Sequence, residues 1–235
     1  MLKKLSYILS FIILTSCDFT SAESYYNQAI ELSQQKKYEN AILLFDKAIE
    51  KKDNFRPALI NRAYCKAEIG NYEEAINDYE IVIQFDSDNT FALCEIGYNW
   101  STLKNHQKAI DFYNKALNTE GALHTSLNSE KQKIAINTNI EVKQFDNNAD
   151  YNVLDCQIYY NRGIEYFELK EYEKAIIDFK KSLEVDNMVS NSHYYIGKSY
   201  LVLKDTIKSC ENFDISARLG DIESKEMLNK YCNRK

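Results

Sequence analysis

The sequence predicts an all-α solenoid, and three observations carry that prediction. The first is internal repetition. The segments KKYENAILLFDKAI, GNYEEAINDYEIVI, KNHQKAIDFYNKAL and KEYEKAIIDFKKSL are copies of one pattern. Their alanines Ala41, Ala75 and Ala109 fall 34 residues apart, and Ala175 follows 66 residues after Ala109. A weaker copy, KDTIKSCENFDISA, puts Ser209 in the alanine position 34 residues further on. The second is an amphipathic segment before each copy. It reads FALCEIGYNWSTL, QIYYNRGIEYFEL and NSHYYIGKSYLVL in the last three, with apolar residues at i, i+3, i+4 and i+7, one face of an α-helix. The third is composition: a single Pro and 6 Gly in 235 residues suit helices joined by short connections and not a β fold, which needs regular turn residues. Each unit is therefore two helices, A and B, and a period of this length marks a stacked array.

The chain begins with a segment read apart from the fold. Lys3 and Lys4 precede the mostly apolar run LSYILSFIIL, too short to span a bilayer and suited to the apolar region of a signal peptide. Leu14-Thr15-Ser16-Cys17 then resembles a bacterial lipobox. The resemblance implies a lipoprotein signal peptide over residues 1–16, attachment of lipid to the Cys17 thiol, and a lipidated tether over 17–21. More than one acyl chain gives stable anchoring where one is marginal. The expected location is the cell envelope, lipid-anchored, with the choice of membrane open because rules for the Asp18 position differ among bacteria. The alternatives are an ordinary secretory signal with a chance Cys and an uncleaved apolar tail.

Aligning the copies defines recurring slots. A small residue in helix A is Ala29, Ala63, Gly97, Gly163 and Gly197; a turn aromatic is Tyr38, Tyr72 and Tyr172, replaced by His106 and Thr206 in the third and fifth copies. Helix B carries a small residue (the Ala41 series), an aromatic four residues later (Phe45, Tyr79, Tyr113, Phe179, Phe213), and a further small residue (Ala48, Ala116, Ser182, Ser216, with Val82 in the second copy). This set resembles the tetratricopeptide repeat. The resemblance implies a right-handed α-solenoid of about five helix-turn-helix units. Repeats one to three span residues 22–123 and repeats four and five residues 156–221. The family's usual Pro after helix B is missing from every copy.

Residues 222–235 read as a capping helix and tail, because an array exposes an apolar face at its end. Residues 124–155 do not fit the repeat. Within them KIAINTNIEVKQF, residues 133–145, reads as a strand or hairpin or as a degraded helix, and the segment is either a tolerated insertion or a functional loop. Of the remaining cysteines, Cys210 and Cys232 could form a bridge, or all five could be buried thiols.

The formal net charge is −6, with no basic stripe, so nucleic-acid binding is not expected. No Cys or His spacing suggests a metal site, no cofactor motif appears, and no nucleophile–base or paired-carboxylate arrangement suggests catalysis. His106 and His193 fall in packing slots and His124 in a loop. The expected function is non-catalytic: a scaffold holding a protein or peptide. In the family, A helices line a concave groove. The repeat frame places Tyr26, Ile60, Tyr64, Phe91, Cys94, Tyr98, Tyr160, Ile164, Tyr194 and Lys198 toward it, with Asn27, Asn61 and Asn161 recurring beside them. Tyrosines offer apolar contact at little rotamer cost, and Asn amides can pair with a partner's backbone. The same residues also serve helix packing. With Lys198 the one basic member, a carboxylate clamp is not expected. The alternative is a glycan or small-ligand site that uses the tyrosines for stacking.

Overall fold

The computed structural model describes residues 20–123, 151–183 and 189–232. The signal peptide, Cys17, residues 124–150 and the proposed strand at 133–145 lie outside the described residues.

Five helix pairs follow one another: α1 (Ala22–Gln34) with α2 (Tyr38–Lys51), α3 (Arg56–Glu68) with α4 (Tyr72–Phe85), α5 (Thr90–Thr102) with α6 (His106–Leu117), α7 (Asp155–Glu168) with α8 (Tyr172–Ser182), and α9 (Val189–Val202) with α10 (Thr206–Arg218). Each helix packs on its predecessor and its successor, so the chain is an all-α solenoid. The odd-numbered A helices also touch across repeats, α1 on α3, α5 on α7 and α7 on α9, which puts them on the inner side of the stack.

Packing follows the small-and-large slots. Ala41, Ala75, Ala109, Ala175 and Ser209 are fully buried, as are the rings of Phe45, Tyr79, Phe179 and Phe213. On helix A the small residue is needed for close approach. A Cβ on Gly97 would stand 2.7 Å from Tyr113 Cε1, and one on Gly197 2.8 Å from Phe213 Cδ1. Contacts this short would force the ring off its seat.

The turns between A and B helices repeat as faithfully. Lys36, Gly70, Lys104, Lys170 and Lys204 all have positive φ. The next residue's N–H reaches back to close the turn: Lys37 to the Leu32 carbonyl at 2.9 Å, Asn71 to Lys66 at 2.9 Å, Glu171 to Tyr166 at 2.8 Å. This is the Schellman arrangement, with a left-handed residue ending the helix. Asn105 and Asp205 then cap the following B helices by accepting from the Lys108 and Lys208 N–H groups. Gly suits the left-handed position, yet four of these five turns use Lys at a steric cost.

The irregular segment leaves and re-enters the array through a two-residue parallel bridge, Ala122 with Val153 and Leu123 with Leu154. It fixes Tyr151 beside the start of α5, where the Phe91 N–H donates to the Tyr151 carbonyl at 3.1 Å. At the other end, α11 (Ile222–Met227) passes into a π-helical turn, Leu228–Cys232. The cap is thus α-helical at its start and widened to π-helix at its end. Ile222 is exposed, and the covering stripe is Ser224, Met227, Leu228 and Tyr231, of which Ser224 is fully buried. Cys232 is bonded to Cys210 of α10, which ties this turn to the last repeat. Cys65, Cys94 and Cys156 are buried thiols.

Replacing Lys170 (φ 62°) by Gly should remove left-handed strain without touching a packed side chain. Lys170→Gly is expected to raise stability by about 0.5–1 kcal/mol, read as a higher urea midpoint. An unchanged or lowered midpoint would mean the turn holds no strain.

Candidate functional site

On α5 the partly open residues Phe91, Glu95, Tyr98 and Thr102 fall at spacings of four, three and four, one stripe along the helix. The matching stripe on α3 is Pro57, Asn61, Tyr64 and Glu68, and on α7 Gln157, Asn161, Ile164 and Glu168. Because A helices lie inside the stack, these stripes form the inner surface.

Several residues expected there belong instead to the core. Tyr26 is only 2% exposed and packs between Phe45 and Phe55, with ring centroids at 5.8 and 5.4 Å. Ile60 at 3% and Cys94 at 8% are buried too. These three share one helical position, which the structure turns toward the neighbouring helices. Tyr160 and Tyr194, at the same position in later repeats, are half-buried against Phe179 and Phe213. Asn61 is 7% exposed, and its amide donates to the Pro57 carbonyl at 2.8 Å and to Tyr26 Oη at 3.2 Å, so its N–H groups are committed inside the fold.

The rest retain some access. Asn27 is exposed, and Asn161 and Ile164 are half-buried. Tyr64 is half-buried, edge-on to Tyr38, whose hydroxyl donates to Glu68. Phe91 sits between Tyr79 and Tyr151. Tyr98, at 56%, is the most open ring on this face among the described residues. Lys198 lies over the rings of Phe167, Tyr194 and Tyr195 at 5.0–5.5 Å, so its charge is already engaged.

Sequence reasoning missed Glu95. It stands in the slot that Asn27, Asn61 and Asn161 define, and its difference from them was the available signal. Burial pushes its carboxyl up to about 7. Its charge reaches Tyr64 of α3, Tyr79 of α4 and Tyr113 of α6, whose phenols are raised mainly by their own burial. The Tyr79 hydroxyl is buried with no hydrogen-bond partner among the described residues.

Glu165 is the contrasting case. It is more deeply enclosed, at 2% exposure, and fully engaged, accepting from Ser101 Oγ at 2.6 Å and meeting His106 Nδ1 at 2.7 Å. This explains why His replaces the turn aromatic in the third repeat: it serves a buried carboxylate of the fourth. A second recurring device clamps repeats together. Arg62 makes a two-pronged contact with Asp78 at 2.9 and 2.7 Å and reaches Asp46 of the preceding B helix at 2.6 Å. Arg162 does the same with Asp178 and with Asn114, which holds the position of Asp46.

For Glu95 the folded value lies above the ordinary carboxylate range, so the fold favours the protonated form. Ionisation costs stability progressively as pH rises from about 4.5 to 7. Glu95→Gln is therefore expected to gain about 1–3 kcal/mol over the natural chain at pH 8 and nothing near pH 4, measured by denaturant unfolding at both values. Equal stability of the two proteins at pH 8 would count against an enclosed, unpaired carboxyl.

Models of the tetratricopeptide repeat match residues 22–52, 57–89 and 156–187. No curated protein matches the chain by sequence. Among solved structures, the chain is similar to MamA from Desulfovibrio magneticus RS-1, at 17% identity and a TM-score of 0.65 over 84% of this chain and 94% of that one. It is also similar to YrrB, described as a TPR protein with an unusual peptide-binding site, at 17% identity and a TM-score of 0.65 over 89% and 92%. A third is pilF of Pseudomonas aeruginosa, at 14% identity and a TM-score of 0.61 over 89% and 88%. At these identities the likeness is one of fold.

Proposed function

Because the chain belongs to the tetratricopeptide-repeat family, and so has the architecture of a protein–protein interaction scaffold, we propose that its A-helix face binds an extended segment of another protein and catalyses nothing. The observation that carries this is the partly open stripe Phe91, Glu95, Tyr98 and Thr102 at the centre of the array. It offers an exposed ring and an unpaired polar group on a rigid helix, the features that anchor a bound peptide. The peptide-binding site named for YrrB, a similar fold, supports the same direction.

The second part of the proposal is that Cys17 carries lipid and holds the array at a membrane of the cell envelope. The support is the basic, apolar and lipobox-like order of residues 1–17. The Cys210–Cys232 bridge favours it as well, since disulfides persist in oxidising compartments outside the cytoplasm. None of the described helices is long and apolar enough to cross a membrane.

Binding along the A helices is tested by a photoreactive residue at Tyr98 in growing cells, with one at Ile177, an exposed B-helix position, as the control. A discrete protein adduct is expected from position 98 and not from 177; equal capture from both, or none from 98, would rule the groove out. The anchor is tested by feeding an alkyne-tagged palmitate. Label should enter the natural chain and be absent from Cys17→Ala, which should leave the membrane fraction; label retained by Cys17→Ala would overturn the assignment.

A further inference from the structure

Among the described residues, Glu95 has no counter-charge of its own. Burial is the one cause acting on its carboxyl, and no side chain among the described residues donates to it. The other acids of the inner stripes differ. Glu23 is paired with Lys52 at 3.0 Å, and Glu68 accepts the Tyr38 hydroxyl. The stripes of α3, α5 and α7 carry Glu68, Glu95 and Glu168 and no cation, while Lys198 of α9 is held over three rings. The central surface is thus acidic, and its most enclosed acid is the one left unpaired. One helical turn further along the stripe stands the open Tyr98 ring, whose face suits the same ligand chemistry.

We propose that Glu95 receives a basic side chain, a lysine ammonium or an arginine guanidinium, from an extended segment of the partner lying across α3, α5 and α7. This rests on the groove proposed above and adds the class of partner. A charge held partly out of water without a partner is a standing cost, and a cation arriving from the ligand removes it. The paired state also has stronger, shorter hydrogen bonds than a neutral contact would give. An arriving cation favours the ionised carboxylate, so binding near neutral pH releases a proton from Glu95. The groups facing Glu95 are Tyr64 from α3, Tyr79 from α4, Tyr113 from α6 and Cys94 on its own helix, all uncharged near neutrality. Glu165 of α7, which meets His106 of α6, also acts on Tyr113.

The test sorts a displayed library of random ten-residue peptides on the full natural chain and on Glu95→Gln, both first shown to be folded by circular dichroism. Peptides held by the natural chain are expected to share one Lys or Arg position that disappears in the set held by Glu95→Gln. Replacing that lysine by norleucine in an enriched peptide should weaken binding about tenfold or more. Lowering pH from 8 to 5.5 should weaken the natural chain on the order of tenfold and leave Glu95→Gln nearly unchanged. An enriched motif without a basic position, or one retained by Glu95→Gln, overturns the inference and leaves the groove standing. No enriched peptide at all from the folded natural chain overturns the inference and the groove together.

Discussion

The contact on which the structure depends is a small residue on helix A facing an aromatic ring on helix B. It recurs as Gly97 with Tyr113, Gly163 with Phe179 and Gly197 with Phe213, and Ala29 and Ala63 hold the same place in the cores with Phe45 and Tyr79. Each ring fills the space that an absent or minimal side chain leaves, so neither partner can change size alone. Because the contact lies within a repeat, each unit fixes its own interhelical distance, and the array needs only to stack identical units. Ser182, Ser192, Ser209 and Ser216 show how strict the size requirement is. They are fully buried hydroxyls at small-residue positions of the last two repeats, tolerated because they hydrogen-bond locally, Ser182 with Ser192 at 2.7 Å and Ser209 to the Gly197 carbonyl at 2.9 Å.

Stacking is then made specific by charge. The Arg62–Asp78–Asp46 and Arg162–Asp178–Asn114 clamps each join a helix pair to the B helix before it. Their aspartates Asp78 and Asp178 are almost wholly enclosed, where an unpaired carboxylate would be costly, so the clamps penalise any register that separates the partners. The third and fourth repeats lie 66 residues apart in the pattern, and no such arginine serves the third, whose corresponding residue is Ile96. There His106, Ser101 and Glu165 provide the polar junction instead. The chain departs from the repeat around residues 124–150, and the contact across that break is the one built from different residues.

The architecture was legible because it is local and periodic. The 34-residue spacing, the Ala41 series and the glycines of helix A each recur often enough to be read without any knowledge of contacts. The inner surface was only half legible, for a physical reason. A helix position in an array sees its own B helix, the next repeat and solvent in proportions set by superhelical geometry, which the repeat spacing does not contain. Hence Tyr26, Ile60 and Cys94 were assigned to the groove although their position turns into the core, while Asn27, Tyr64 and Tyr98, assigned by the same frame, keep an open edge. Asn61 shows the further limit that a recurring polar residue can repeat for an internal reason, here its bonds to Pro57 and Tyr26. The Cys210–Cys232 bridge was one of two open alternatives in the sequence, and only the fold of α11 back onto α10 decides between them.

What distinguishes this array from its own consensus is therefore found where a slot breaks its rule. His106 breaks the turn-aromatic rule and is explained inside the fold, since Glu165 needs it. Glu95 breaks the asparagine rule and finds no such explanation: burial alone acts on its carboxyl, its charge falls on phenols and a thiol, and no cation among the described residues compensates it. An unmatched departure that weakens the fold near neutral pH is a cost with no structural return. Costs of that kind collect at functional sites, where the missing interaction is supplied by a ligand. The same logic separates Glu95 from Tyr98, whose exposure is ordinary for a surface ring and becomes informative only through the carboxylate beside it.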